Sequence, residues 1–168
     1  MQRTLVLVLL IYLLLPSCGY RFSGGGSLPG RAETLSVLML ENRTAEAGIQ
    51  AQLNSAIVYE VTRRDSSWIV RTENADALLS GVVKTVQDTD IAHTGTSTAS
   101  QRRVTLTVDM KLERPDGTIL WRRNGLSDYE TYDVGANRTQ TDLNRRSAIE
   151  KLSKRLAETI YKSITDDF

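Results

Sequence analysis

The chain has 168 residues, with 21 Lys and Arg against 20 Asp and Glu, one His and one Cys. Its near-neutral charge and its 6% aromatic content argue against nucleic-acid binding, which needs a positive field and rings for stacking. One Cys excludes an internal disulfide, and the length fits a single domain.

The first 17 residues have the pattern of an export signal. Arg3 precedes an unbroken apolar run over residues 5–15, which is too short to span a bilayer as a helix. The segment Leu15-Pro16-Ser17-Cys18 is similar to a bacterial lipobox, in which the peptidase cuts before Cys and the thiol carries diacylglycerol. We therefore predict a signal peptide over 1–17 and a covalent lipid on Cys18, with no other cofactor. The alternative for Cys18 is an inert buried thiol.

The mature chain is predicted to begin with a flexible tether over residues 18–33, rich in Gly and Ser, and to continue as a single domain over 34–168. A continuous apolar run over 35–40 indicates a buried strand. Thr44 is placed to cap a helix that runs to about Arg64. The core-facing stripe of this helix consists of Ile49, Leu53, Ala56, Ile57 and Val61.

The middle of the chain predicts two strands and then a long loop. A short strand is expected over 68–70 and a longer one over 77–87, where Gly81 indicates a bulge or a close backbone approach. Residues 88–101 contain almost no large apolar side chain, which is typical of a functional or mobile loop. We interpret His93, Asp88 and Asp90 in this loop as solvated or structural, because they lack partners for a metal site.

A hairpin follows the loop. Apolar and polar residues alternate strictly over 103–113, which predicts a half-buried strand. The turn Arg114-Pro115-Asp116-Gly117 leads to a partner strand over 118–123, with Ile119 and Trp121 facing the core. Asn124-Gly125 predicts another turn, before a last strand over 126–134.

A second helix is predicted over 137–163, with Thr139 and Asp142 as a capping box. The element order favours an α+β fold, in which two helices pack on one face of a mixed, mainly antiparallel sheet of four to five strands. The apolar stripe of the second helix consists of Leu143, Ile149, Leu152, Leu156, Ile160 and Ile164.

The sequence shows no catalytic constellation, and we expect a binding protein rather than an enzyme. Basic residues cluster on the predicted strands instead. Such residues often only keep the edges of sheets from pairing, but an Arg fork also matches phosphate oxygens, which predicts a phosphate-binding patch. The candidate residues are Arg102, Arg103, Lys111, Arg122 and Arg123.

Four short motifs occur in order along the mature chain: Cys18-Gly19-Tyr20-x-Phe22, Leu28-Pro29, the run 35–40 with Glu41-Asn42-Arg43-Thr44, and Ala75-Asp76-Ala77-x-Leu79-x-Gly81. Together they resemble the lipopolysaccharide-assembly lipoprotein family LptE. The resemblance implies a plug and assembly partner inside the β-barrel of LptD, which contacts lipopolysaccharide on its way to the cell surface.

The expected location is the periplasmic side of the outer membrane, because Gly19 stands where an Asp would favour retention in the inner membrane. The predicted partners are thus an LptD-like barrel, lipopolysaccharide and the membrane that holds the lipid anchor. The alternative hypothesis is an accessory lipoprotein of a secretion pore or an ABC-type exporter, which would bind protein but not lipid.

Overall fold

The computed structural model describes residues 26–94 and 98–166. The predicted signal peptide and Cys18 lie outside the described residues. Short 3-10 helices occur at Pro29–Arg31 and Thr72–Asn74. The strands are β1 (Leu35–Val37), β2 (Glu41–Asn42), β3 (Ala77–Thr94), β4 (Thr98–Glu113) and β5 (Ile119–Asp133), and the helices are α1 (Ile49–Arg64) and α2 (Arg138–Thr165).

The five strands form one mixed sheet. β1 and β2 both pair with β3 in parallel, while β3–β4 and β4–β5 are long antiparallel pairs. Both helices pack on one face of this sheet, which we name the helix-covered face. The predicted fold class is confirmed. None of the helices in the described ranges is long and apolar enough to cross a membrane.

The core lies between the helices and the sheet. The apolar residues that alternate along β4 from Val104 to Leu112 are all buried, as the sequence pattern predicts. Leu152, Leu156 and Ile160 of α2 cover them from the other side. Burial of this stripe is the main source of stability, since each fully buried Leu or Ile contributes about 1.5–3 kcal/mol.

The predicted loop over 88–101 is wrong for most of its length. β3 continues to Thr94 and β4 starts at Thr98, with Thr89 opposite Arg103 and Asp90 opposite Arg102. Antiparallel strands satisfy their peptide groups with each other, whatever their side chains. The segment can therefore pair as strands although it lacks apolar residues. The predicted turn at Asn124-Gly125 is also wrong, because these two residues form a bulge inside β5.

The start of α1 and the strand predicted over 68–70 also need correction. α1 begins after Gly48, which has φ +82°, rather than at Thr44. The hydroxyl and N–H of Thr44 both donate to Oδ1 of Asn42, at 2.8 and 2.9 Å, and so Thr44 closes a turn. Over 68–70 the chain makes one isolated bridge, between Ile69 and Leu35.

In α2 the cap is Asn137, whose side chain accepts from the N–H of Gln140 at 2.9 Å, rather than Thr139. Leu143 was predicted to be buried but is 52% exposed, because burial of α2 begins only at Ala148. Ile119 is also exposed, since a register shift beside Leu112 inserts an extra residue and turns Ile119 away from the core.

Part of the predicted tether belongs to the domain. Leu28 and Ala32 are 4% and 7% exposed and lie in the core cluster. Apolar side chains this close to the first strand gain more from burial than from remaining in a solvated spacer. The domain therefore includes Leu28, and the predicted boundary at residue 34 lies too far along the chain.

Candidate ligand-binding face

The sheet has a second face that no helix covers in the described part of the chain, and we name it the open face. Because side chains alternate along a strand, it carries the polar partners of the buried residues. Its centre is rich in hydroxyls, and Thr107 donates to Ser127 across β4 and β5 at 3.2 Å. Other members are Lys84, Thr85, Gln87, Thr89, Thr105, Asp109, Glu113, Tyr129 and Thr131.

The five predicted cations do not form one patch. Neighbouring residues on a strand point to opposite faces, so Arg102-Arg103 and Arg122-Arg123 each divide between the two faces. Arg103, Lys111 and Arg122 lie on the open face, whereas the other two lie opposite buried residues on the helix-covered side. The open face therefore has basic groups at both ends rather than a continuous basic stripe.

The hairpin end of the open face carries Arg103. Its guanidinium lies over the ring of Tyr129, 4.3 Å from the centroid, which is a cation–π contact. The Nε of Arg103 is buried and has no hydrogen-bond partner among the described residues. Tyr129, which the sequence analysis did not single out, is 51% exposed. On the other side of the sheet, Arg102 donates to Asp90 at 2.7 Å.

The opposite end carries Lys111 and Arg122, which face each other across β4 and β5. Lys111 Nζ lies 2.8 Å from both carboxylate oxygens of Glu113. Arg122 forms no ion pair with any residue in the described ranges. The two cations border a depression of about 280 Å³, which Ser80, Val82 and Asn124 also line.

An ionic cluster ties the base of the β3–β4 hairpin to α2. Arg145 lies 2.8 Å from Glu46 and 3.0 Å from Asp88, and the hydroxyl of Tyr132 donates to Asp88 at 2.7 Å. Burial and the Asp88 carboxylate raise the pKa of Tyr132 to about 12. Burial alone would lower the pKa of Arg145, but its bonds to Glu46 and Asp88 outweigh burial and raise it.

The sequence analysis missed this cluster, although its interpretation of Asp88 as structural fits the contacts. Arg145 and Asp88 are 57 positions apart, so no local spacing could have paired them. Elsewhere in the described ranges, no three His, Cys, Asp or Glu side chains are placed to hold a metal ion. The open face thus offers guanidinium, ammonium and hydroxyl groups, which suit an anionic ligand rich in hydroxyls.

Comparison with known families identifies the family to which this chain belongs. The model of the family described as LptE, lipopolysaccharide-assembly, matches residues 32–164. The chain belongs to the LptE family. It is therefore a lipopolysaccharide-assembly lipoprotein, as the sequence motifs predicted, and the LptE family is a non-enzymatic one. A search of curated proteins finds no match.

Solved structures share the fold at low sequence identity. Lipoprotein B from Nitrosomonas europaea is 11% identical over 84% of this chain and 86% of that one, with a TM-score of 0.61. Rare lipoprotein B from Shewanella oneidensis is 10% identical over 79% and 95%, with a TM-score of 0.57. A minor lipoprotein from Acinetobacter baumannii is 17% identical over 80% and 92%, with a TM-score of 0.51.

Proposed function

We propose that this chain is the lipoprotein subunit of an outer-membrane lipopolysaccharide translocon. In this proposal the domain sits inside an LptD-like β-barrel as plug and assembly partner, and contacts lipopolysaccharide during delivery to the cell surface. The observation that carries the proposal is the match of the LptE family model over residues 32–164, which includes every strand and both α-helices except the last residue of α2.

The open face supports contact with lipopolysaccharide. A ligand made of sugars and phosphates needs hydroxyl partners and cations on a surface that stays accessible after folding. The rows of Thr and Ser across β3, β4 and β5 provide the hydroxyl partners, and Arg103, Lys111 and Arg122 provide the cations. Arg102 and Arg123 lie on the helix-covered side, so their position does not support the predicted role in binding phosphate.

The long hairpin supports insertion into a barrel. Beyond Asp88 the β3–β4 pair continues as far as Thr94 and Thr98, as a ribbon of mainly polar residues. Such a ribbon has its own backbone hydrogen bonds and needs no apolar cover, so it fits a water-filled lumen. The Arg145 cluster fixes the base of the hairpin relative to α2.

The lipid on Cys18 would hold the domain at the periplasmic side of the outer membrane. Each buried acyl methylene contributes about 0.8 kcal/mol, so a thiol-linked diacylglycerol needs no spanning helix. Leu28, which is buried, lies ten positions after Cys18, and ten steps of chain reach at most about 35 Å. A Cys18→Ser variant produced without the barrel partner should lose the lipid mass and remain in the soluble fraction.

Mild detergent extraction of the full chain from membranes tests the partnership. The proposal expects a large β-barrel protein to co-purify in a stable complex, with trypsin protection of the hairpin. A lipoprotein that purifies without any barrel would overturn it. Co-purification with a secretion pore or an exporter would instead favour an accessory lipoprotein of that machine.

Charge reversal on the open face tests contact with lipopolysaccharide. We expect the triple variant Arg103→Glu, Lys111→Glu, Arg122→Glu to lose lipopolysaccharide binding while it keeps its fold and barrel partner. The matched control reverses three exposed cations elsewhere, Arg71, Arg138 and Arg146. Equal loss in both triple variants would show a non-specific charge effect and contradict a role for the open face.

A further inference from the structure

We infer that the depression bordered by Lys111 and Arg122 is a binding site for a phosphate group carried by a glycolipid. The identity of the ligand rests on the proposed function, whereas the site itself is argued from the charges and donors around the depression. It lies eight residues along β4 from Arg103, which corresponds to about 27 Å. The two ends of the open face are therefore separate sites.

Lys111 and Arg122 repel each other across the two strands. Lys111 and Arg122 are direct cross-strand neighbours, and like charges in this position destabilise a sheet. Glu113 offsets the charge of Lys111, while Arg122 has no carboxylate within the described part of the chain. An anion bound between the two cations would relieve this repulsion, and a guanidinium can meet two phosphate oxygens at once.

Two carboxylates, those of Glu41 and Asp109, also line the depression. Glu41 accepts from Arg43 at 2.8 and 3.1 Å. Asp109 accepts from the N–H of Gly125 at 2.8 Å and lies 3.4 Å from Lys84. Both carboxylates thus already have hydrogen-bond or ionic partners of their own. They therefore repel an incoming phosphate less than two unpaired carboxylates would.

Uncharged hydrogen-bond donors also line the depression. The hydroxyl of Ser80 is buried at the depression and has no hydrogen-bond partner in the described residues. A buried hydroxyl without a partner costs free energy, and rotation of the Ser80 side chain towards the depression would let it donate to a ligand oxygen. Asn124 also lines the depression, at the bulge of β5. Val82 and Met110 add an apolar part to the lining, which suits an amphiphile.

The volume fits this class of ligand. About 280 Å³ corresponds to the space of about nine water molecules at ~30 Å³ each. A phosphate with part of a sugar ring fits this space, whereas a whole lipid does not. The rest of a glycolipid would extend along the hydroxyl rows of the open face.

Amide NMR on the ¹⁵N-labelled mature chain in detergent micelles tests the site with two small probes. We expect glucosamine 1-phosphate to shift the amide signals of residues 80–82, 109–111 and 122–124, and glucosamine without phosphate to leave them in place. Shifts centred on Arg103 and Tyr129, or identical shifts with both sugars, would overturn the assignment.

Variants then identify the groups that bind. Arg122→Gln should weaken the affinity for glucosamine 1-phosphate about tenfold, the loss expected for one charge-assisted hydrogen bond. Ser80→Ala should weaken it by a smaller factor without loss of fold, because its hydroxyl has no partner to lose. The matched control, Arg138→Gln, should bind like the wild type, and unchanged binding by Arg122→Gln would contradict the site.

Two further measurements separate this inference from the proposed function. Inorganic phosphate should bind at the same amides but more weakly, and equal affinity would overturn a glycolipid site in favour of a general anion site. If Arg122→Gln keeps both its barrel partner and full affinity for lipopolysaccharide, the inference fails while the proposed function stands. If the wild type binds glucosamine 1-phosphate at residues 122–124 but has no barrel partner, the site stands and the proposed function fails.

Discussion

The two faces of the same sheet differ in the burial of their side chains and in the pairing of their charged groups. On β4, Leu106 and Met110 point to the helix-covered face and are buried, while Thr105 and Lys111, from the same strand, point to the open face. On the covered side, charged groups that meet the core are held by several bonds. Glu60 accepts from both Arg63 and Arg64, and Arg155 pairs with Asp128 and Glu130.

The open face contains cations that have no carboxylate partner in the described ranges. Arg103 has a ring contact but no carboxylate in the described ranges, and Arg122 has neither. A charge left alone in the core would cost several kcal/mol, whereas one at a solvated surface costs little. The covered face thus specifies the fold, whereas the open face can keep cations that have no carboxylate partner among the described residues.

The largest expected effect comes from the covered face. Leu106→Ala should lower the free energy of unfolding by about 2–5 kcal/mol, since it leaves a cavity in the core. Thr105→Ala, one position away on the open face, should cost less than about 1 kcal/mol. Urea unfolding followed by circular dichroism measures both, and similar losses in the two variants would contradict the division between the faces.

Gly81 tests how closely β3 and β4 approach each other. A Cβ at this position would lie 2.6 Å from the carbonyl oxygen of Asp109 and would also collide with Met110. Gly81→Ala should therefore cost about 1–3 kcal/mol through overpacking. Gly117→Ala meets no atom within 4 Å but has φ +88°, so its cost of about 1–2 kcal/mol is one of backbone strain. Thermal unfolding at matched pH compares them, and a neutral Gly81→Ala would show that the strands can separate.

The Arg145 cluster tests whether the covered side positions the hairpin. Arg145→Gln leaves Asp88 and Glu46 without their cation and should cost about 1–2 kcal/mol. Amide hydrogen exchange over 86–90 and 102–104 should accelerate more than exchange in the centre of β4. Arg138→Gln, at an exposed position 3.9 Å from Asp142, is the control and should change stability by less than about 0.5 kcal/mol. Uniform acceleration in both variants would contradict a local role.

The smallest effect is the pH dependence of Glu60. Burial raises its pKa, but hydrogen bonds from Arg63 and Arg64 outweigh burial, so the pKa lies below the usual 4.5. A lowered pKa stabilises the fold above pH 4.5, and this contribution is lost as the pH falls through the folded-state value. Glu60→Gln should thus be less stable than the wild type by about 1 kcal/mol at pH 7. The difference should shrink towards pH 3 in urea titrations, and a constant difference would contradict it.

Much of the covered face followed from the sequence. The alternation on β4 and the apolar stripe of α2 from Ile149 to Ile164 are local patterns, and each was predicted with the correct type of element. The division of Arg102-Arg103 and Arg122-Arg123 between two faces could have been predicted too, because the same period of two applies to the cations. The missed signal was thus present in the sequence.

The family motifs, the α+β class and the buried residues of β4 and of α2 from Ile149 onward could be predicted from the sequence, because periodicity and composition act along the chain. Tertiary structure alone decided that 88–101 pairs as strands, that Arg145 meets Asp88, and that Ser80, Lys111, Arg122 and Asn124 surround one depression. These features depend on backbone pairing, which is nearly independent of side chains, and on partners far apart in sequence. Neither leaves a local pattern for the sequence to show.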